Sequence, residues 1–189
     1  MVLGLGACAS KNKARETSVA EPPASDPWFH AARTGDIPAI QGMIDAGKDI
    51  NAKSPVGLTA LMATARAGNL EAVKWMLAHG ADATIMDRDE QSALVYALVG
   101  FASDKPRATM AGELIHAGAD PFKVDQLGFQ PIQEMMDQEM DEQIRKIKFT
   151  RKKPCDLAPK RPGEPTLSQL ARRMENVPLA EFLEKQGCW

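Results

Sequence analysis

The sequence predicts an all-α solenoid of about five stacked helix–turn–helix units behind a disordered N-terminal tether. Three observations carry that expectation. One skeleton recurs at fixed spacing: Gly35 and Gly68 lie 33 residues apart, as do Gly47 and Gly80, and Gly118 follows Gly80 after 38. A period of this size marks supersecondary units that bury their apolar faces only against one another. The apolar mass comes from Ala, Leu and Met, with aromatics at 5 % of the 189 residues, which suits closely stacked helices. Within each unit the apolar residues fall at helical spacing and a glycine closes the second helix.

Residues 1–8 are apolar and end in Leu5-Gly6-Ala7-Cys8. Residues 9–25 turn polar and Pro-rich, unable to bury enough apolar surface to offset chain entropy, and read as a flexible linker. The repeat domain spans 26–189, with units at about 26–52, 53–85, 86–123, 124–156 and 166–189. Asp26 is a good N-cap and Pro27 a good first helical residue, since its missing N–H would be unsatisfied anyway. Gly35 turns the first unit into a second helix bearing Ile37, Ile40, Met43 and Ile44, closed by Gly47. The second unit opens at Gly57 with Thr59 as N-cap. Leu61, Ala63 and Ala65 let its neighbours approach, and Leu70, Val73, Met76 and Leu77 form the buried stripe of its second helix.

The third unit aligns Ser92 with Thr59 and Leu94 with Leu61, but Glu90 stands where Gly57 stood, a change expected to loosen or reshape the turn. An extra segment, Phe101 to Arg107, accounts for its five additional residues. The fourth unit starts at Gly128-Phe129-Gln130-Pro131-Ile132 and uses Ile144 and Ile147, with Arg151 at the expected terminal glycine. In the fifth, Asn176 and Gly187 repeat Asn69 and Gly80 at the same spacing of 107 residues. Its charged face (Arg172, Arg173, Glu175, Glu181, Glu184, Lys185) suits a terminal cap.

These residues resemble ankyrin repeats. The family pattern is a turn glycine, then T-P-L-H-x-A, then a second helix ending L-L-x-x-G-A-D. It is matched by Gly57, Thr59, Leu61, Ala63, Gly68, Leu70, Val73, Leu77, Gly80, Ala81 and Asp82. The usual Pro is Ala60 and Ala93, and the usual His is Met62 and Val95. The resemblance covers roughly 26–189 and implies an L-shaped stack of helix pairs, turns projecting at one edge, and a role in protein–protein binding. Family turn tips and first helices map the partner surface onto Lys53, Val56, Leu58, Arg66, Arg88, Asp89, Gln91, Gln126, Leu127 and Phe129. Leu58 and Phe129, apolar at positions expected to be exposed, are the leading anchors.

Leu5-Gly6-Ala7-Cys8 is similar to a bacterial lipobox, which implies diacylation of Cys8 and tethering on the periplasmic side of a Gram-negative membrane. Ala9, rather than Asp, is compatible with the outer membrane in that family. No positively charged residue precedes the apolar run. The alternative is a disordered tail with a chance cysteine. If the chain is exported, Cys155 and Cys188 remain as an even pair in an oxidising compartment and are expected to form a disulfide. That bond closes a loop of about 32 residues, for roughly 3–4 kcal/mol in the chain-entropy picture. In a cytoplasmic protein they remain two thiols.

Chemistry-bearing motifs are absent from the sequence. No G-x-S-x-G, P-loop, G-x-G-x-x-G or H-E-x-x-H occurs, and no Cys/His cluster has metal spacing, so no enzyme, cofactor or metal site is expected. His79 and His116 precede the closing glycines of two units, where a cation complements a helix C-terminus; His30 is expected to pack or cap. The methionines (62, 76, 110, 135, 136, 140) read as core filler. The basic run Arg145, Lys146, Lys148, Arg151, Lys152, Lys153, Lys160, Arg161 is either a contact for an acidic partner or anionic lipid, or a solvated loop. A net charge of −2 argues against general nucleic-acid binding. The expected function is a monomeric, non-enzymatic module that binds one protein partner, neutralising or stabilising it, tethered in the envelope. The rival is a cytoplasmic or host-directed scaffold.

Overall fold

A computed structural model describes residues 26–101, 104–146 and 166–186, with side chains at all of these except 104 and 105. It is built from helices: α1 (Pro27–Thr34), α2 (Ile37–Asp45), α3 (Ala60–Ala67), α4 (Leu70–Ala78), α5 (Ala93–Val99), α6 (Asp104–His116), α7 (Pro131–Asp137), α8 (Asp141–Lys146), α9 (Leu167–Arg173) and α10 (Val177–Lys185). No strand occurs among the described residues. The helices form five antiparallel pairs. The first members α1, α3, α5 and α7 pack in succession, the second members α4, α6 and α8 form the outer row, and α10 joins the last pair to α8.

Local chemistry explains where each helix starts. Asp26 accepts the Trp28 N–H at 2.9 Å, and Asp36 accepts that of Ala39 at 3.0 Å. Thr59 and Thr166 cap α3 and α9 with reciprocal bonds from the third helical residue. Each such cap is worth about 1 kcal/mol. Asn69 does something else: its amide donates to the Arg33 carbonyl at 2.7 Å, so it joins two units instead of capping its own helix. Asn51 bridges in the same way, donating to the Gly80 carbonyl and accepting the Asp82 N–H.

In the first, second, fourth and last pairs the turn between the helices carries one left-handed residue: Gly35 (φ 70°), Gly68 (φ 82°), Glu139 (φ 56°) and Glu175 (φ 60°). At the next turn type, Gly57 (φ 85°) and Gly128 (φ 82°) flank Glu90 (φ 60°). The expected reshaping at Glu90 is therefore corrected: the turn keeps its form and the Glu90 backbone takes the left-handed conformation. Such backbone costs an L-residue roughly 1–2 kcal/mol.

The core runs the length of the stack. Met62, Met76, Met110, Met135, Met136 and Met140 are all buried, as expected of gap-filling side chains, with Trp28, Ile40, Leu94, Tyr96, Leu98, Ile132 and Leu183 among them. The insertion in the third unit adds helix where extra loop was expected, since α6 reaches back to Asp104 and is 13 residues long. His30 is exposed, not packed. His79 stacks on Trp75 with centroids 3.8 Å apart, its Nδ1 2.7 Å from the Trp75 carbonyl oxygen. In the last pair, Arg172 grips Glu184 through Nε (2.9 Å) and a terminal nitrogen (3.0 Å). Cys8, Cys155, Cys188, Ile147, Gly187 and the basic residues from Lys148 to Arg161 lie outside the described residues.

Candidate functional site

Three turn tips repeat along one edge of the stack, at 54–58, 87–91 and 125–129. Each is closed the same way. The first residue donates its N–H to the carbonyl of the fifth: Ser54 to Leu58 (2.8 Å), Asp87 to Gln91 (3.1 Å), Asp125 to Phe129 (3.0 Å). The fifth residue returns its N–H to the first side chain: Ser54 Oγ (3.1 Å), Asp87 Oδ1 (2.9 Å), Asp125 Oδ1 (2.8 Å). A short acceptor at the first position therefore folds the chain over itself, and the fifth side chain is carried inward under the helices.

That inward turn corrects part of the expected binding surface. Leu58 is 1 % exposed, Gln91 0 % and Phe129 5 %, so all three are core residues. They sit directly before the helix caps, where side chains point into the stack. The residues at the crest remain outside: Lys53, Arg88, Gln126 and Leu127 are exposed, with Leu127 at 58 %, while Val56 and Asp89 are half-buried. Arg66 is not at the tips. It lies in the last turn of α3, at the far end of that helix.

The tips are joined to each other as well as folded. The Arg88 N–H donates to the Val56 carbonyl (3.2 Å) and the Gln126 N–H to the Asp89 carbonyl (3.1 Å). The Gln126 amide also reaches the Arg88 carbonyl at 2.9 Å. Beneath them, Gln91 Nε2 donates to Asp125 Oδ2 (3.0 Å) and the Tyr96 hydroxyl to Asp87 Oδ2 (2.6 Å). Burial, followed by the hydrogen bond to Asp87, pushes the Tyr96 phenol far above its ordinary range, so it stays a donor. Hydrogen bonds from tip to tip of this kind hold the crest rigid, although the Gln91 side-chain oxygen is buried without a partner, and rigid crests lose little entropy on binding. Between α4 and the second tip, Asp82 is held below the usual carboxylate range, chiefly by hydrogen bonds from Thr84 and more weakly by Lys53.

A family model described as Ankyrin repeats (3 copies) matches residues 28–125. The chain belongs to the ankyrin-repeat family. Its repeats are 32 % identical over 97 residues to the Ankyrin repeat, SAM and basic leucine zipper domain-containing protein 1 of Eulemur macaco macaco, a match covering 51 % of this chain and 20 % of that one. The protein of the same name from Homo sapiens is 32 % identical over 94 residues, covering 49 % and 20 %. The chain thus spans about a fifth of the length of these relatives. An ankyrin repeat domain from Acinetobacter baumannii AYE superposes with a TM-score of 0.55 at 23 % identity, over 71 % of this chain and 73 % of that one. That likeness shows the fold. Ankyrin repeats are protein-interaction modules and characteristically non-enzymatic scaffolds.

Among the described residues no three His, Cys, Asp or Glu side chains converge as a metal site, and no helix is long and apolar enough to cross a membrane. One feature of the surface escaped sequence reasoning. Phe101, 70 % exposed, stands at the start of the five-residue insertion, and an aromatic at a break in the period is the signal that could have found it.

Proposed function

We propose that this ankyrin stack is a binding module for one protein partner, which docks along the crest formed by Lys53, Val56, Arg88, Asp89, Gln126 and Leu127. The observation that carries the reading is the cross-linked row of tips: three crests in register, joined by backbone hydrogen bonds, with Leu127 held out at 58 % exposure. Leu127 takes the anchor role first given to Leu58 and Phe129. Mixed charge at Lys53, Arg88 and Asp89 supports a partner with complementary charges around an apolar centre.

The setting we propose is the periplasmic side of a Gram-negative envelope, with Cys8 as the lipid attachment and 9–25 as tether. The sequence Leu5-Gly6-Ala7-Cys8 followed by a polar, Pro-rich stretch supports it. There the module would neutralise or stabilise a protein of the same compartment. Photo-crosslinking in the native cell tests the docking surface. A benzophenone side chain at 127 or 88 should give one discrete adduct, and the same group at Lys74 on α4 should give none. Adducts of equal yield at all three positions, or none at any, would contradict the crest assignment. Metabolic palmitate labelling lost in Cys8→Ala tests the anchor separately.

A further inference from the structure

We propose that the row of tips has an open end at the third tip, where the carbonyls of Gln126 and Leu127 take an extended segment of the partner protein that presents Gln or Asn beside a bulky apolar residue. The inference rests on the reading of the crest as the docking surface and adds how the partner docks: it continues the row by backbone hydrogen bonding.

One bond, repeated, builds the row. The second residue of each tip donates its N–H to the carbonyl of the third residue of the tip before it: Arg88 to Val56 at 3.2 Å, and Gln126 to Asp89 at 3.1 Å. Gln126 adds a second bond, from its side-chain amide to the Arg88 carbonyl at 2.9 Å. A single amide residue thus holds two successive carbonyls of its neighbour. The three tips close alike, and each carries a left-handed fourth residue, Gly57, Glu90 or Gly128. The carbonyls of Gln126 and Leu127 therefore face onward along the row, as those of Arg88 and Asp89 do. Among the described residues no hydrogen bond reaches either of them. Leu127 is fixed around its carbonyl: its own N–H donates to Asp125 Oδ1 at 2.9 Å, and the Gly128 N–H to the Asp125 carbonyl at 3.0 Å.

The same bond selects the occupant. Pro55, second in the first tip, has no N–H, and the N–H groups of Arg88 and Gln126 are spent inside the row. A second copy of the chain therefore has no second-position donor left on these tips, and copies cannot join by the bond that builds the row. The chain's own continuation offers none either. Counted back from the cap Thr166, the sequence place of a fourth tip is 161–165 and reads Arg161-Pro162-Gly163-Glu164-Pro165. Proline in the second place has no N–H for the Leu127 carbonyl, proline in the fifth has none to return, and Arg161 has no side-chain acceptor. The donor comes from another protein. Gln126 on Arg88 and Asp89 is the template for it: a backbone N–H to the Leu127 carbonyl, a side-chain amide to that of Gln126. An adjacent apolar side chain then covers Leu127, which stands 58 % exposed. Such docking is strand addition at an open edge, with affinity from the main chain and specificity from the side chains.

A random dodecapeptide library on phage, panned against the full chain, tests the site, with Leu127→Ser and Lys53→Ser run in parallel. Both side chains are exposed, and thermal melting confirms that each variant folds. Enriched peptides should share Gln or Asn next to Leu, Ile, Met or Phe. Their enrichment should fall about tenfold or more on Leu127→Ser, the scale of an interface anchor, and persist on Lys53→Ser beside the first tip. The most enriched peptide is then synthesised with one backbone N-methyl group at each position in turn. Methylation of the shared Gln or Asn should weaken binding about tenfold, the scale of one lost hydrogen bond, and methylation at the peptide's ends should change it less than about twofold. No enrichment, enrichment without Gln or Asn, or binding insensitive to Leu127→Ser or to methylation of that residue overturns the proposal. If cellular crosslinking at 127 still gives its adduct in that case, the crest reading stands and only the docking mode fails. A methylation-sensitive peptide without any cellular adduct keeps the open end and removes the crest as the native surface.

Discussion

Replacing Glu139 or Glu175 by glycine should stabilise the stack. Both hold a left-handed turn between paired helices, at φ 56° and φ 60°, where Gly35 and Gly68 serve in the first two units. The Cβ costs roughly 1–2 kcal/mol in that conformation. Glycine removes the strain but brings extra freedom to the unfolded chain, worth roughly 0.5–1 kcal/mol. The difference leaves a net gain of about 0.5–1 kcal/mol per site. Both glutamates are exposed, so little packing is lost. For a domain of this size that is a rise in Tm of about 1–4 °C. Glu90→Gly should gain less, because Glu90 also pairs with Lys123 at 2.5 Å, a partly exposed contact worth about 0–1 kcal/mol. Glutamate-to-alanine variants are the control: they remove the charge and keep the Cβ, so they should show no gain. Chemical denaturation of the single variants decides it. If Glu139→Gly and Glu175→Gly match their alanine counterparts or destabilise, backbone strain at these turns is not what the structure implies.

Leu58→Ala and Phe129→Ala should each cost about 2–5 kcal/mol of stability in denaturant unfolding, the range for buried large-to-small changes, and Leu127→Ser should cost under about 0.5 kcal/mol. Tyr96→Phe should cost about 1–3 kcal/mol by leaving the buried Asp87 carboxylate short of a donor, again read from denaturant unfolding. Asp82, whose folded carboxyl is held below its usual value of 3.8, contributes stability that is present above pH 4 or so. That contribution is lost as pH falls through the depressed folded value. Asp82→Asn should therefore flatten the acid limb of a Tm-against-pH curve without changing the neutral plateau by more than the lost Thr84 bonds.

The architecture was legible because each unit repeats several independent signals. Gly35 and Gly68, the caps Asp26 and Thr59, and the stripe Val73–Met76 all point to the same helix pair. Exposure at the tips was not legible, because it depends on which way a five-residue turn folds. Ser54, Asp87 and Asp125 read as polar loop residues, yet as acceptors for the fifth N–H they send Leu58, Gln91 and Phe129 inward. The apolar or bulky character shared by those three slots was a clue to burial that family mapping outweighed. Glu90 was misjudged for a related reason. The bonds from Asp89 and Gln91 to Asp87, and from Glu90 to the Asp87 carbonyl, over-determine the turn, so one unfavourable residue is strained without moving it. The insertion after Phe101 became helix because Asp104–Arg107 continues directly into the periodic pattern of α6.

Hydroxyl-radical footprinting of the intact chain in solution tests most directly the division between crest and core, on which the binding surface depends. After brief exposure, mass spectrometry should find Leu127 and Phe101 oxidised rapidly and Leu58 and Phe129 protected. Oxidation of Leu58 or Phe129 at the rate of Leu127 would return them to the surface and contradict the account.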